Sequence, residues 1–351
     1  MTIYLYPVSS SISVSIMSNN DNERPVLVAG GAGYIGSHTV RALEERGTPV
    51  VVLDDLSAGH REALQVPLEV CGLGDPTAVA KVFEKHKPRA VIHFAAKCYV
   101  GESVTDPAKY YEHNVLYTWN LLQAMRQAAC PTIVFSSSCA TYGNPLEMPM
   151  TDGHSQLPIS PYGRTKLHME HMIEDFAAAY DMRYAALRYF NAAGASTKGD
   201  LGEDHDPETH LIPLVLQVAL GQRAEIKMFG DDYPTPDGTC IRDYIHVEDL
   251  ARAHMAALDK LEAGASKIAC NLGTGSGFSV KQVIETAREV TGHAIPASVA
   301  PRRPGDPPEL VSGGTLAKAE LGWEAQRPEL RLIIEDAWRF MQSHPKGYGA
   351  N

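Results

Sequence analysis

Three consecutive serines, Ser136, Ser137 and Ser138, close an apolar run, and downstream the chain reads Ser160-Pro161-Tyr162-Gly163-Arg164-Thr165-Lys166. Residues four apart on a helix project from one face, so the Lys166 ammonium can stand beside the Tyr162 ring. A phenol titrates near pH ~10, and a nearby positive charge favours its ionised form. Tyr162 then becomes a base able to take a proton from a hydroxyl, while Ser138, at a strand end, holds the same oxygen in line. Cys139 has no histidine paired with it by any motif and reads as a small packed residue.

The elements that must position these groups begin at Val26-Leu27-Val28-Ala29, an apolar run that feeds Gly30-Gly31-Ala32-Gly33-Tyr34-Ile35-Gly36. Strand, glycine turn and helix in that order form a dinucleotide cradle, with free amides at the helix start for a pyrophosphate. A cationic nicotinamide at Tyr162 would add to the charge that favours phenolate. The helix is expected over residues 37–46, stopped at Gly47. The next strand, 49–53, ends on Asp54 and Asp55, placed to hold the adenosine ribose and to repel a 2′-phosphate, which favours NAD over NADP. Further strands are expected at 90–94, 132–135 and 185–190, alternating with helices. This pattern predicts an α/β fold, a Rossmann-type doubly wound parallel sheet with a smaller C-terminal α/β substrate lobe.

Two helices carry spare apolar surface. From the Asp106-Pro107 cap a helix is expected to run to about residue 127, with one stripe of Tyr110, Asn114, Tyr117, Leu121 and Met125 and a second of Tyr111, Val115, Thr118 and Leu122. The helix after Ser160-Pro161 turns Tyr162, Lys166, Met169, Ile173 and Phe176 toward the sheet and Leu167, His168, His171 and Met172 to one side. Two such helices predict a homodimer through a four-helix bundle.

With 351 residues, 44% hydrophobic and 21% charged, the chain suits an ordinary globular protein of two lobes. The net charge of -11 argues against nucleic-acid binding. Six dispersed cysteines, at 71, 98, 130, 139, 240 and 270, form no CxxC pair and read as reduced thiols of a cytoplasmic protein. Scattered histidines without HExxH lead us to expect no metal site. Residues 1–24 read as a disordered extension, or as an over-long reading frame with the start at Met17. No apolar run is long enough to cross a membrane. The expected division is 25–190 for the NAD-binding domain, with 237–270 returning to it, and 191–236 plus 271–345 for the substrate lobe.

These motifs, with His93-Phe94-Ala95-Ala96, Val100-Gly101-Glu102-Ser103, Thr141-Tyr142-Gly143 and Leu187-Arg188-Tyr189-Phe190-Asn191, resemble the extended short-chain dehydrogenase/reductase family. Within it the match is to the UDP-sugar 4-epimerase branch. Arg242-Asp243-Tyr244-Ile245-His246-Val247, Asn271-Leu272-Gly273-Thr274-Gly275 and Pro301-Arg302-Arg303-Pro304-Gly305-Asp306 extend it into the C-terminal half. The resemblance implies a redox-neutral exchange of UDP-glucose and UDP-galactose through a 4-keto sugar on tightly held NAD. It assigns Tyr162, Lys166 and Ser138 to catalysis. It places Gly30, Gly33, Tyr34, Ile35, Gly36, Asp54, Asp55, Phe94, Ala95, Ala96, Asn114, Ser136, Tyr189 and Phe190 at the cofactor, together with Tyr162 and Lys166. For the UDP-sugar it implies Asn191, Arg242 and Arg303 at the diphosphate, Asp306 at the ribose, and Lys227, Met228 and Phe229 around the uracil, with His210 and Leu211 alongside.

The sequence departs from the family at several points. Cys71-Gly72-Leu73-Gly74-Asp75 has glycine where an adenine-contacting aspartate is usual, so the nearest acid is Asp75. Lys97 precedes the position where a lysine is often found, and His210 replaces an asparagine. Leu310 is intermediate between bulky residues that exclude N-acetyl sugars and small ones that admit them, leaving UDP-N-acetylglucosamine, UDP-pentoses and UDP-uronates open as alternatives. A 4,6-dehydratase or a uronate decarboxylase would need an acid within Cys139-Ala140-Thr141, and an NADPH reductase a basic residue at Asp54. A non-enzymatic NAD sensor would have lost Ser138, Tyr162 or Lys166.

Overall fold

The structure, a computed structural model, describes residues 23–303 and 305–349. All but the last two residues of the expected N-terminal extension therefore lie outside the described residues. Strands β1 (Val26–Ala29), β2 (Val50–Asp54), β3 (Leu68–Val70), β4 (Ala90–His93), β5 (Thr132–Ser136) and β6 (Arg183–Arg188) join a seventh strand, Lys267–Asn271, in one parallel sheet. Its order is Lys267–Asn271, β6, β5, β4, β1, β2, β3, so the chain reverses direction across the β1/β4 pair. A crevice at such a reversal, beyond the strand C-termini, is where open α/β sheets bind ligands.

Alternation along the strands builds two cores. Val26, Val28, Val50 and Val52 face one way and pack with Val40 and Leu43 of the Tyr34–Glu45 helix and Leu250 and Leu258 of the Val247–Glu262 helix. Leu27, Val51, Val91, Ile133 and Phe135 face the other way, against Val79, Leu121, Met125, Met169 and Ile173. Burial on both sides explains why these strands are continuously apolar. A third core, including Ile212, Val215, Leu216, Ile226, Val283 and Ile333, belongs to the C-terminal lobe. The segment that returns to the large sheet is the Val247–Glu262 helix and the Lys267–Asn271 strand. Ile241–Arg242 instead pairs with Phe278–Ser279 and Glu309–Leu310, which places residue 242 in the lobe.

The expected helix from residue 106 to 127 is interrupted. Asp106 caps a short Pro107–Tyr110 helix, a π-turn spans Tyr111–Leu116, and Tyr117–Gln127 resumes the α-helix. Such a turn inserts a residue and rotates the next helical segment about its axis. Thr118 and Leu122, expected on a face needing cover, are consequently buried with Leu121 and Met125, while Tyr111 stays 38% exposed.

Candidate active site

The glycine turn explains its own composition. A Cβ on Gly30 would strike the backbone of Ala95, and one on Gly36 the carbonyl of Gly30. At Gly33 a Cβ would find only the Gly30 oxygen at 3.5 Å, so the outer face of the turn stays open. No side chain caps the Tyr34–Glu45 helix, which leaves its first-turn amides for an anionic ligand. Asp54 accepts from Ala32 N at 3.0 Å and Leu56 N at 2.9 Å, fixing the turn to the end of β2. Burial raises its carboxyl, and those two amides oppose the shift. Asp55, exposed beside it, accepts only from Ser57 N at 2.9 Å among the described residues. Open turn, uncapped helix and paired acids fit an NAD pyrophosphate and ribose. Ile35 and Phe94 pack against the core beneath, and Ala95 donates its amide to Ala29. Ala96 lies partly exposed in the loop after β4.

Asp75 does not take the adenine position. Its carboxylate accepts from Thr77 N and Ala78 N, both 3.0 Å, and caps the Pro76–His86 helix, whose first residue is the adjoining proline.

The catalytic candidates meet at the C-terminal end of β5. Ser160 accepts from Gly163 N at 3.1 Å and, with Pro161 in the first turn, starts the helix that carries Tyr162 and Lys166. A Cβ on Gly163 would collide with the Ala140 carbonyl, so this glycine lets the helix lie directly on the turn after Ser138. Tyr162 and Ser138 are each 9% exposed, and their hydroxyls hydrogen-bond. Lys166 donates to the Ser136 carbonyl at 2.9 Å and stands 4.9 Å over the Phe135 ring. Burial pushes its ammonium down to about 8, against the pull of Cys98 and Glu170. Burial likewise raises the Tyr162 phenol, with only the Ser138 hydrogen bond opposing it strongly enough to count among the main causes. The expectation that Lys166 by itself lowers the phenol is thus corrected: its charge is directed at a carbonyl, and desolvation dominates.

Asn114 is built into the π-turn and buried. Its side chain accepts from Lys97 N at 2.8 Å and donates to Lys97 O and Thr165 Oγ1, both 3.0 Å. The loop after β4 is thereby locked to the helix between Tyr162 and Lys166. Tyr189 shares a 2.5 Å hydrogen bond with Ser136, and Phe190 packs near Cys139, Tyr142 and Leu310.

Sequence reasoning missed a buried ionic network under this turn. Glu170, one helical turn beyond Lys166, accepts from Ser137 and from Arg188 Nε and Nη2 at 2.9 and 2.7 Å. Arg188 also donates to Tyr142 Oη at 3.0 Å, and Tyr142 donates to Asn271 at 2.5 Å. The signal was available as a glutamate four residues past the lysine on the same helical face.

In the lobe, Arg242 and Asp306, expected at different parts of the nucleotide, form an ion pair with each other. Asn191 begins a short strand beside Tyr244–His246, its amide bonded to Asp243 O at 3.3 Å. Leu310 registers against Arg242. Arg303 lies 4.1 Å over the Phe229 ring, and Lys227, on the same side of its strand, reaches Glu225 at 2.5 Å and Ser298 at 2.9 Å. Met228 and Leu211 turn instead to the lobe core. His210 precedes the Leu211–Ala219 helix and lies among Glu203, His205 and Glu208.

A doubly wound sheet with an open glycine cradle and a Ser, Tyr and Lys set at its C-terminal edge defines a dinucleotide-dependent enzyme acting on hydroxyl groups. Residues 26–273 match the NAD dependent epimerase/dehydratase family, and the chain belongs to it. It is 52% identical over 324 residues to the UDP-glucose 4-epimerase of Halalkalibacterium halodurans, covering 92% of this chain and 97% of that one. The UDP-glucose 4-epimerase from Brucella ovis in complex with NAD superposes with a TM-score of 0.88 at 50% identity, over 90% of this chain and 98% of that one. The Bifidobacterium longum enzyme in complex with NAD+ and UDP gives 0.88 at 37% identity, over 92% and 99%. Among the described residues no helix is long and apolar enough to cross a membrane.

Proposed function

We propose that this chain is a UDP-glucose 4-epimerase, interconverting UDP-glucose and UDP-galactose on NAD that it does not release. The observation that carries the reading is the buried Ser138, Tyr162 and Lys166 set beside a turn, Cys139–Thr141, that offers no acid. A proton can be moved there at a hydroxyl, but no water can be eliminated by a carboxylic acid from that turn.

NAD, when bound, supplies the hydride acceptor and donor and a positive ring beside Tyr162. Tyr162 takes the proton of the sugar 4-hydroxyl as carbon 4 is oxidised, and gives it back after the 4-keto sugar has turned over. Ser138 holds that oxygen in line. Lys166 keeps two N–H groups beyond the one given to Ser136, which suit it to the cofactor ribose, as Asp54 and Asp55 suit the adenosine ribose. In the lobe, Arg242 and Arg303 serve the diphosphate, whose oxygens match a guanidinium fork, with Asn191 beside them. Asp306 serves the uridine ribose, while Phe229 offers a face to the uracil. This division suits a sugar that must rotate while its nucleotide is held.

The same helices support a homodimer. Trp119 (43% exposed) meets Phe176 edge-on at 5.4 Å, Phe176 meets Tyr180 (48% exposed) at 5.2 Å, and Val104 and Leu116 are exposed as well. An aromatic row crossing two helices suits a bundle with a second copy.

The test is purified protein given UDP-galactose with no NAD added, with UDP-glucose followed by coupled oxidation, then UDP-N-acetylgalactosamine followed by chromatography. Conversion of UDP-galactose is expected. The second sugar reports whether Leu310 leaves room for an acetamido group. Failure on UDP-galactose even after NAD is supplied would overturn the reading.

A further inference from the structure

Between the glycine turn and the lobe, the run Glu203-Asp204-His205-Asp206-Pro207-Glu208-Thr209-His210 folds back on itself. One ligand atom from each of Glu203, His205, Glu208 and His210 falls within 4.8 Å of all the others. His210 Nδ1 lies 2.7 Å from Glu203 Oε1 and 3.2 Å from Glu208 Oε1, and His205 Nδ1 lies 3.1 and 3.8 Å from the same two carboxylates. The carboxylates are 6% and 5% exposed. Both Nδ1 atoms are buried, yet neither makes a hydrogen bond of acceptable direction despite these short separations. Four donors therefore converge on a point without satisfying one another.

We propose that Glu203, His205, Glu208 and His210 bind one divalent transition-metal ion of the zinc class. Two imidazoles and two carboxylates are a borderline donor set, and ligands at about 2.0–2.2 Å from a tetrahedral ion stand ~3.4 Å from one another, inside the span observed here. The ligands are also oriented. Glu208 is fixed by the amides of Thr209 and His210 at 2.6 and 2.7 Å, and the His205 ring is held edge-on by Tyr34 and Tyr99 at 6.4 and 6.2 Å. Four protein ligands close the shell, so the role is structural. Tyr34 also donates to Gly194 O at 2.6 Å, and His210 leads into the Leu211–Ala219 helix. The ion would thus pin the lobe to the nucleotide turn. The histidine scatter in the sequence hides this, because the spacing is that of a folded loop and not of a helix face.

The rival is a cluster of protonated imidazoles paired with carboxylates, and metal content separates the two. Full-length protein carrying its cofactor, made without a histidine tag, is stripped with a chelator, incubated with zinc, passed through gel filtration and analysed by mass spectrometry. One zinc per chain is expected. Cobalt(II) loading should give the intense visible bands of a four-coordinate site. His205→Gln and Glu203→Gln should each weaken zinc binding at least tenfold, with the bound-NAD absorbance confirming that the variants fold. No zinc retained by the wild type, or equal retention by both variants, would overturn the proposal.

Discussion

The two halves of the candidate site are prepared to different degrees. Around Ser138, Tyr162 and Lys166 every group is buried and tied to another element, through Ser136, Thr165, Asn114 and the Glu170–Arg188 network. In the lobe, the groups suited to the nucleotide are half exposed and occupied with one another: Arg242 with Asp306, Arg303 with Phe229. Groups that move a proton lose rate when misplaced by an ångström, so their positions are fixed in advance. Groups that grip a diphosphate can exchange a protein partner for the ligand on binding.

Substitutions should separate the halves. Tyr162→Phe is expected to lower turnover by about 10³–10⁴-fold while UDP still binds, since it removes a general base and little else; near wild-type turnover would sink the assignment. Next comes Glu170→Gln, which leaves the Arg188 guanidinium buried without its carboxylate and should cost about 3–5 kcal/mol in denaturant unfolding. A loss confined to turnover, with stability unchanged, would mean that the network serves the chemistry more than the fold. Arg242→Leu should do the reverse, weakening UDP about 30-fold, or ~2 kcal/mol, with turnover at saturation nearly intact. Equal effects on both constants would erase the contrast between the halves.

A smaller effect is a pH dependence confined to the sheet. Burial lowers His38 to about 4, His93 to about 3 and His254 to about 4. Between these values and the ordinary 6.5 the unfolded chain binds protons that the folded chain refuses, so stability falls as the pH drops through that window. Each ring contributes about 1.4 kcal/mol per pH unit there. His254→Leu should therefore flatten the stability profile between pH 6 and 5 by that slope; an unchanged slope would contradict neutral burial of this ring.

How much could be read beforehand depends on the range of the signals. Periodicity and turn residues are local, so β1, the glycine turn, the capped Tyr162 helix and the doubly wound sheet could be read from the chain. The π-turn at Tyr111–Leu116 could not, because it is set by Asn114 reaching Lys97 and Thr165 across the fold. Asp75 looked like a ligand for adenine, yet Pro76 after it was the better guide, since Asp-Pro is a helix start. The Arg242–Asp306 pair joins residues 64 apart, and the Glu203–His210 cluster depends on a loop path that no spacing encodes.

The central claim is that a single retained cofactor removes hydrogen from carbon 4 and returns it to the same sugar. The measurement is conversion of UDP-galactose deuterated at carbon 4, in the presence of excess unlabelled NAD. The account predicts UDP-glucose carrying the deuterium at carbon 4, with none in the free cofactor pool. Product without the label, with deuterium in the added cofactor, would contradict it.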